Sequence, residues 1–388
     1  MNADKTESRE QRDPEIKTSE ERISRTAKKT VKRLISAALM IGVLVAVMLE
    51  VLTLTEYLPE DREEVAINNI GWEAVRPGDS LKVLTWNIGY GALGDNADFF
   101  MDGGRSVQTA DKERVQRNLE GIAAETAELD PDVVFFQEVD RDASRSHHIE
   151  EMIELVNYFS EDDDLNYTSA FAYNMNVFFI PYPVPPIGMV RSGIMTLTRM
   201  RMASAERIQL PCPFKWPVRL ANFKRCLLVE RLPVQNSDKE LVLINLHLEA
   251  YDDGEGKQEQ TGALMKLLEE EAARGNYVIA AGDFNQSFSN TDISAYPLQE
   301  GKWAPGVFPA QEPDNKWQYL MDSSTPTCRS LDRPYEGADH GSFQYYVVDG
   351  CILSSNIEVR SFETKDLGFV YTDHNPVLLE CVLKQGDM

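Results

Sequence analysis

The sequence predicts a mixed α/β sandwich preceded by one membrane-crossing helix. Eight apolar strand candidates recur between residues 81 and 382, and the amphipathic helices among them do not keep strict βαβ register. Ahead of them, Leu34 to Leu54 form a 21-residue run in which Glu50 is the only charge. At ~1.5 Å per residue, a helix of that length crosses a ~30 Å hydrocarbon layer. The 388 residues are 43% apolar, enough for a large core, and the five cysteines include no CxxC pair. A disulfide-stapled miniprotein is excluded, and a zinc finger or ribbon is disfavoured.

The first 33 residues carry ten Lys or Arg and seven Asp or Glu, with Arg22, Arg25, Lys28, Lys29, Lys32 and Arg33 bunched at the end. Residues 1–33 are read as a basic, disordered cytoplasmic tail and 34–56 as a transmembrane anchor, since positive charge is retained on the cytoplasmic side. The rest then lies across the membrane, giving a single-pass protein with an extracytoplasmic domain. A cleaved signal peptide is the alternative, but the run is long for one and no small-x-small cleavage site follows it. Residues 57–79, with Pro59, Pro77, Gly78 and several acids, read as a linker, and 80–388 as one domain without internal repeats.

In that domain the strand candidates are Leu81–Ile88, Val133–Val139, Gly193–Thr198, Cys226–Leu232, Leu241–Leu248, Tyr277–Gly282, Gln344–Leu353 and Val377–Val382. Helical stripes run through Val115, Leu119, Ile122, Ala123 and Thr126, and through Ala263, Leu264, Leu267, Leu268 and Ala272, the second stopped by Gly275 and Asn276.

The formal net charge of −24 argues against a broad basic face gripping nucleic acid. It leaves room for an enzyme that reaches one phosphate through a cation, because the ion supplies the local positive charge. Polar residues recur where the chain leaves an apolar run: Trp86-Asn87, Gln137-Glu138, Asn245-Leu246-His247-Leu248, Gly282-Asp283-Phe284-Asn285, Val348-Asp349-Gly350 and Thr372-Asp373-His374. Each alone is consistent with an ordinary cap or turn.

Together and in this order, these motifs resemble the endonuclease/exonuclease/phosphatase superfamily, which includes deoxyribonuclease I, apurinic endonucleases, neutral sphingomyelinases and inositol polyphosphate phosphatases. The resemblance covers residues 80 to 384. It implies a four-layer α/β/β/α sandwich of two mixed sheets flanked by helices, and metal-dependent hydrolysis of a phosphoester, with Mg2+ the usual ion and Mn2+ an alternative. It further implies that Glu138, Asn87 and Asp373 hold metal, Asp283 activates water, and Asn285 helps place water and phosphate. His247 is implied to bind a phosphoryl oxygen, and His374, oriented by Asp349, to contact the phosphate or protonate the leaving group. Gly350 and Thr372 stand where relatives often have an aromatic residue or His, and Ser. The rival pair Asp339-His340 lacks the following Pro and apolar strand, and His147 and His148 are expected at the surface.

Substrate choice is expected in loops. Gly89 to Arg105 should rim the site and offers Arg105 as a phosphate contact; Phe171 to Ile187 is aromatic and Pro-rich and precedes Arg191, the second proposed contact. That second loop is read either as an interfacial or acyl-gripping element or as flank packing. Pro211 to Arg225 is basic and aromatic, with Trp216, Arg219, Lys224 and Arg225, and Cys212 and Cys226 flank it either as a disulfide or with Cys226 as a buried thiol of its strand. The expected activity is a membrane-anchored phosphodiesterase acting on a lipid headgroup or small phosphodiester. A nuclease on DNA or RNA and an inactive binding module of the same fold are the alternatives, and no protein partner is implied.

Overall fold

The computed structural model describes residues 14–68, 71, 73–160, 166–252, 254–310 and 316–385. The chain divides into two units at Thr55 and Glu56. In the first, one helix runs from Pro14 to Leu54. The tail expected to be disordered is therefore helical from Pro14 onward, and its residues 1–13 lie outside the described residues. Arg22–Leu54 is long and apolar enough to cross a membrane.

The second unit is built on two seven-stranded sheets. One has the order Arg62–Glu64, Ser204–Gln209, Cys226–Pro233, Glu240–His247, Tyr277–Asp283, Asp349–Ser354, Trp317–Leu320. The other runs Ile357–Thr364, Val377–Leu383, Ser80–Asn87, Val133–Asp140, Gly188–Thr198, Thr168–Ile180, Ile67–Asn68. Both are mixed, with Ser80–Asn87 parallel to Val133–Asp140 and Tyr277–Asp283 parallel to Glu240–His247.

Burial explains the layering. Val83, Val133 and Phe135 of one sheet share an apolar core with Leu241, Leu243 and Ile279 of the other. The opposite faces pack on helices: Leu84, Trp86 and Phe136 against Leu119 and Ile122 of Lys112–Leu129, and Val242, Ile244 and Val278 against Leu264 and Leu268 of Glu255–Arg274. Strands buried on both faces read as continuous apolar runs, which is why they were visible in the sequence. Asp111 caps the first helix by accepting from the Arg114 N–H, and the second ends at Gly275 in the left-handed conformation.

Four expectations are corrected. Residues 57–79 are not a plain linker, because Arg62–Glu64 and Ile67–Asn68 add an edge strand to each sheet. Gln344–Leu353 is broken into Tyr345–Tyr346 and Asp349–Ser354. Phe171 to Ile187 is not wholly a loop: Thr168–Ile180 is a 13-residue strand, and only the turn beyond it is Pro-rich. No disulfide forms, since Cys212 and Cys226 are both free and the Cys226 thiol donates to Asn174 Oδ1 at 3.1 Å.

Gly282 is where the sheet tolerates no side chain. Its φ is +152°, and a Cβ there would meet the Leu246 carbonyl oxygen at 1.9 Å. The neighbouring strand backbone cannot move away without breaking the ladder that sets Asp283 beside His247. Gly282→Ala is therefore expected to lower unfolding stability by more than about 3 kcal/mol, read as a drop in the urea midpoint.

Candidate active site

Register brings the polar strand ends to one edge. Asp283 lies level with His247 on its parallel neighbour and with Asp349 on its antiparallel neighbour. In the other sheet Asn87 lies level with Gln137. Between Phe136 and Val139 the pairing register shifts, and Glu138 takes φ +56°. Such a bulge re-aims a side chain, and here it places Glu138 in the cleft while Gln137 braces the sheets by donating to Asn245 Oδ1 at 2.9 Å. Asn245 donates back to the Phe136 and Met195 carbonyls at 3.2 and 2.9 Å.

Asp283 is the focus. Its Oδ2 accepts from Asn87 Nδ2 at 3.1 Å and faces His247 Nε2 at 3.4 Å and His374 Nε2 at 3.8 Å. Its Oδ1 accepts from the Asn285 N–H at 2.8 Å, in a turn where Asn285 has φ +50° and donates through Nδ2 to the Leu248 carbonyl. His374 Nδ1 sits 2.8 Å from Asp349 Oδ2, so the imidazole is fixed with Nε2 aimed at Asp283. The indole of Trp86 donates to the His374 carbonyl at 2.9 Å and anchors that loop.

The two departures from the family pattern are accommodated. A side chain at Gly350 would meet the Leu320 carbonyl at 2.6 Å, so the adjoining strand leaves no room for an aromatic ring. The Thr372 hydroxyl donates to the Asn87 carbonyl at 3.0 Å and lies 3.2 Å from Asp373 Oδ1, joining two site loops.

Burial separates the ionisation behaviour of these groups. Desolvation, helped by the nearby Asp349, raises Asp283 to about 7. Burial opposes charge on His374, but Asp349 outweighs it and holds the imidazolium well above its usual range. His247 is pushed well below its usual value by burial and by the facing Arg225 and His374 cations, so it is neutral. A carboxyl group that titrates near neutrality, a cationic imidazole and a neutral one thus share one cleft.

Glu138, Asn87 and Asp373 line the same cleft. Burial first, and repulsion from Glu138 among others, raises Asp373 to about 6. Two carboxylates and an amide oxygen lining one cleft are the donor types that a hard divalent cation prefers. Asp283, Asp349 and His374 also lie close enough to share an ion, but the His374 Nδ1 position is taken by Asp349. In the neighbouring group Cys328, Asp373, His374, burial pushes the Cys328 thiol up to about 12, leaving it protonated and inert.

Eight of the ten expected site residues line this cleft or hydrogen-bond directly at it; Arg105 and Arg191 do not. Arg105 is exposed, its N–H held by Asp98, and Arg191 is paired with Asp142 at 3.4 Å on the surface. Its first loop does rim the cleft, through Tyr90, Phe99, Met101 and Asp102. The arginines that line it are Arg145, Arg225 and Arg329. Arg145 is clamped by both Asp140 oxygens and lies 3.6 Å over the Tyr90 ring. Arg225 lay within the basic-aromatic segment noted in the sequence; Arg145 follows Glu138 in a loop without a distinguishing pattern. His340 stacks on Tyr335, and neither it, His147 nor His148 lines the cleft.

The sequence profile of the Endonuclease/Exonuclease/phosphatase family matches residues 84–362, spanning every site motif except Thr372-Asp373-His374. The chain belongs to the endonuclease/exonuclease/phosphatase family. Members of this family hydrolyse phosphoester bonds, and this chain is a phosphoesterase of that class. A similar solved structure is an endonuclease/exonuclease/phosphatase from Beutenbergia cavernae DSM 12333, 19% identical over 79% of this chain and 72% of that one, with a TM-score of 0.52. The human Nocturnin catalytic domain with bound sulfate is 15% identical over 82% and 98%, TM-score 0.48. TDP2 from Caenorhabditis elegans is 13% identical over 78% and 74%, TM-score 0.45. No curated protein is similar enough in sequence to count as a match. The likeness to the Beutenbergia cavernae structure is one of fold.

Proposed function

We propose that this family member is a membrane-anchored, divalent-metal-dependent phosphodiesterase whose water nucleophile is activated by Asp283. The observation that carries the reading is the convergence on Asp283 of the Asp349–His374 pair, neutral His247 and Asn87 beside the Glu138 and Asp373 carboxylates. Glu138, Asp373 and the Asn87 side-chain oxygen would hold the cation, with Mg2+ the ion that best suits oxygen donors, and when bound it would neutralise phosphate charge as a Lewis acid.

The protein's own groups supply the rest. Asp283 Oδ2 takes the proton from water as the water attacks phosphorus. Asn285 orients that water from the turn beside it. Neutral His247 donates from Nε2 to a phosphoryl oxygen, and the His374 imidazolium donates to the phosphate or leaving oxygen, stabilising charge that grows in the transition state. Arg145 and Arg225, rather than Arg105 and Arg191, offer fixed cationic contacts to the substrate.

The helix Arg22–Leu54 is read as the anchor, with the basic end cytoplasmic and the domain extracytoplasmic. The formal net charge of −24 favours a headgroup or small phosphodiester over a long polyanion. The test uses the full chain in detergent with Mg2+, presenting supercoiled plasmid, phosphatidylcholine and sphingomyelin in parallel. Headgroup release that EDTA abolishes supports the reading; metal-dependent plasmid nicking without headgroup release replaces it with a nuclease.

A pH dependence follows from Asp283. Only the carboxylate accepts a proton, and it is the majority form above about 7. kcat/KM is therefore expected to rise close to tenfold per pH unit below that midpoint, to level above it, and to fall again at the alkaline pH where the His374 imidazolium loses its proton. A bound cation moves the midpoint lower, because positive charge favours the carboxylate. A profile that falls across this range contradicts the assignment of Asp283 as base.

A further inference from the structure

The chain carries 63 acidic residues, yet between Asp164 and Glu230 there is a single one, Glu206. The same 65 residues hold eight Lys or Arg: Arg191, Arg199, Arg201, Arg207, Lys215, Arg219, Lys224 and Arg225. This is the stretch that forms the long hairpin Thr168–Ile180 and Gly188–Thr198 and the loop after Gln209. Six of them pair with carboxylates from outside the stretch, Arg191 with Asp142, Arg199 with Asp130, Arg207 with Glu63, Arg219 and Lys224 with Glu56, and Arg225 with Glu249. On an acidic protein this stretch is thus charge-balanced, and an anionic surface repels it less than it repels the rest.

That region also exposes large apolar side chains. At the hairpin end Phe178 is 44%, Tyr182 56% and Val184 95% exposed, and in the loop Trp216 is 53% and Val218 54% exposed. Scattered apolar residues need no explanation, but a cluster of aromatic and aliphatic residues with Lys215 and Arg219 among them matches what anchors proteins at a membrane interface.

Two further contacts place this region. The loop is stitched to the hairpin by the Lys224 N–H donating to the Asn174 carbonyl at 2.6 Å and the Cys226 N–H to Asn174 Oδ1 at 3.1 Å. It is also tied to the domain's first residues, for Glu56 Oε1 accepts from Lys224 Nζ at 3.0 Å and lies 3.2 Å from Arg219 Nε. The Tyr57 ring meets Tyr173 of the hairpin edge to face. Glu56 is the first residue of this unit.

The hairpin points the same way as the active site. Asp140, two residues beyond Glu138, is level with Ser192, and pairing continues to Ile180 and Gly188. At ~3.3 Å per residue the hairpin end extends about 13 Å past the level of Asp140. Phe223 and Arg225, at the end of the loop, line the cleft itself.

We propose that the hairpin end at residues 178–187 and the loop at 214–219 form a docking rim that seats the cleft on the lipid bilayer, presenting it with the phosphodiester headgroup of a bilayer lipid. This inference rests on reading the helix as a membrane anchor and the site as a phosphodiesterase. The rim turns a tethered domain into one that faces its substrate: rings enter the interface, Lys215 and Arg219 meet lipid phosphates, and the headgroup reaches Arg225 and Asp283.

The test reconstitutes the full chain into vesicles of phosphatidylcholine, sphingomyelin and phosphatidylserine, with and without brominated acyl chains that quench tryptophan on contact. Quenched emission is expected that disappears in Trp216→Phe and falls at least threefold in a Phe178→Ser/Val184→Ser variant. Equal quenching of wild type and Trp216→Phe overturns docking. In the same vesicles, the Phe178→Ser/Val184→Ser variant is expected to release headgroups about tenfold more slowly, while its hydrolysis of soluble bis(p-nitrophenyl) phosphate stays unchanged. Equal headgroup release by variant and wild type also overturns the rim. Failure of the wild type to hydrolyse either diester overturns the phosphodiesterase reading instead, with docking still decided by the quenching.

Discussion

Asp283→Asn is expected to lower kcat by about 10³-fold, within the 10²- to 10⁴-fold range of a positioned general base. The amide keeps the shape of the side chain and its one oxygen can still accept from the Asn285 N–H, while its NH2 faces Asn87, whose own amide can turn over to present oxygen, so the site stays assembled while its proton acceptor is lost. Stability separates this from damage to the fold. Burial raises Asp283 to about 7, so the folded protein holds a proton there that the unfolded chain releases near its ordinary carboxylate value. That contribution is fully present at low pH and is lost as pH rises through about 7. At pH 8, without metal, Asp283→Asn should melt no lower than the wild type. A variant that loses activity and also melts well below the wild type at pH 8 contradicts a purely chemical role.

His374→Gln is the second large effect, expected to cost about 10²- to 10³-fold in kcat, because it removes the only imidazolium aimed at the reacting centre. Asp349 acts through it. The carboxylate 2.8 Å from Nδ1 both orients the ring and keeps it charged, so Asp349→Asn should lower kcat by about tenfold or more and bring the alkaline limb of the pH profile down toward neutrality. Once His374 is gone Asp349 has nothing left to position. The double variant should therefore be close to His374→Gln alone, the non-additivity expected of residues acting as a unit. Independent losses that add would place Asp349 in a separate role.

The parts of this fold legible in the sequence were those whose physics is local. Strands buried on both faces, such as Leu241–Leu248, announce themselves as apolar runs, and Lys112–Leu129 announces itself as an apolar stripe at helical spacing. The edge strands Arg62–Glu64 and Ile67–Asn68 did not, because a short exposed strand is specified by the partner it pairs with rather than by its own residues. Thr168–Ile180 was obscured by the prolines of the turn that follows it.

The site divides the same way. Asn87, Glu138, His247, Asp283 and Asp349 sit near strand ends where a motif of several residues marks them, and strand register aligns His247, Asp283 and Asp349, while His374 lies in the motif-marked loop before Val377–Leu383, held by Trp86. The cationic contacts lie in loops whose direction is set by tertiary contacts. Arg105 and Arg191 had suitable chemistry but stay at the surface, Arg105 exposed with its backbone N–H donating to Asp98 and Arg191 paired with Asp142, whereas Arg145 reaches the cleft because Asp140 and Tyr90 hold it there. The bulge that gives Glu138 its positive φ and its view of the cleft likewise depends on the antiparallel partner, Gly188–Thr198.

The most direct test of the central claim is hydrolysis of bis(p-nitrophenyl) phosphate by the purified full chain with Mg2+, followed alongside its Asp283→Asn variant and an EDTA-treated sample. The account predicts release of one nitrophenolate per diester, abolished by EDTA and restored by adding back Mg2+, with the variant about 10³-fold slower. Turnover that survives EDTA, or that is equal in the variant, would contradict metal-dependent hydrolysis with Asp283 as the base.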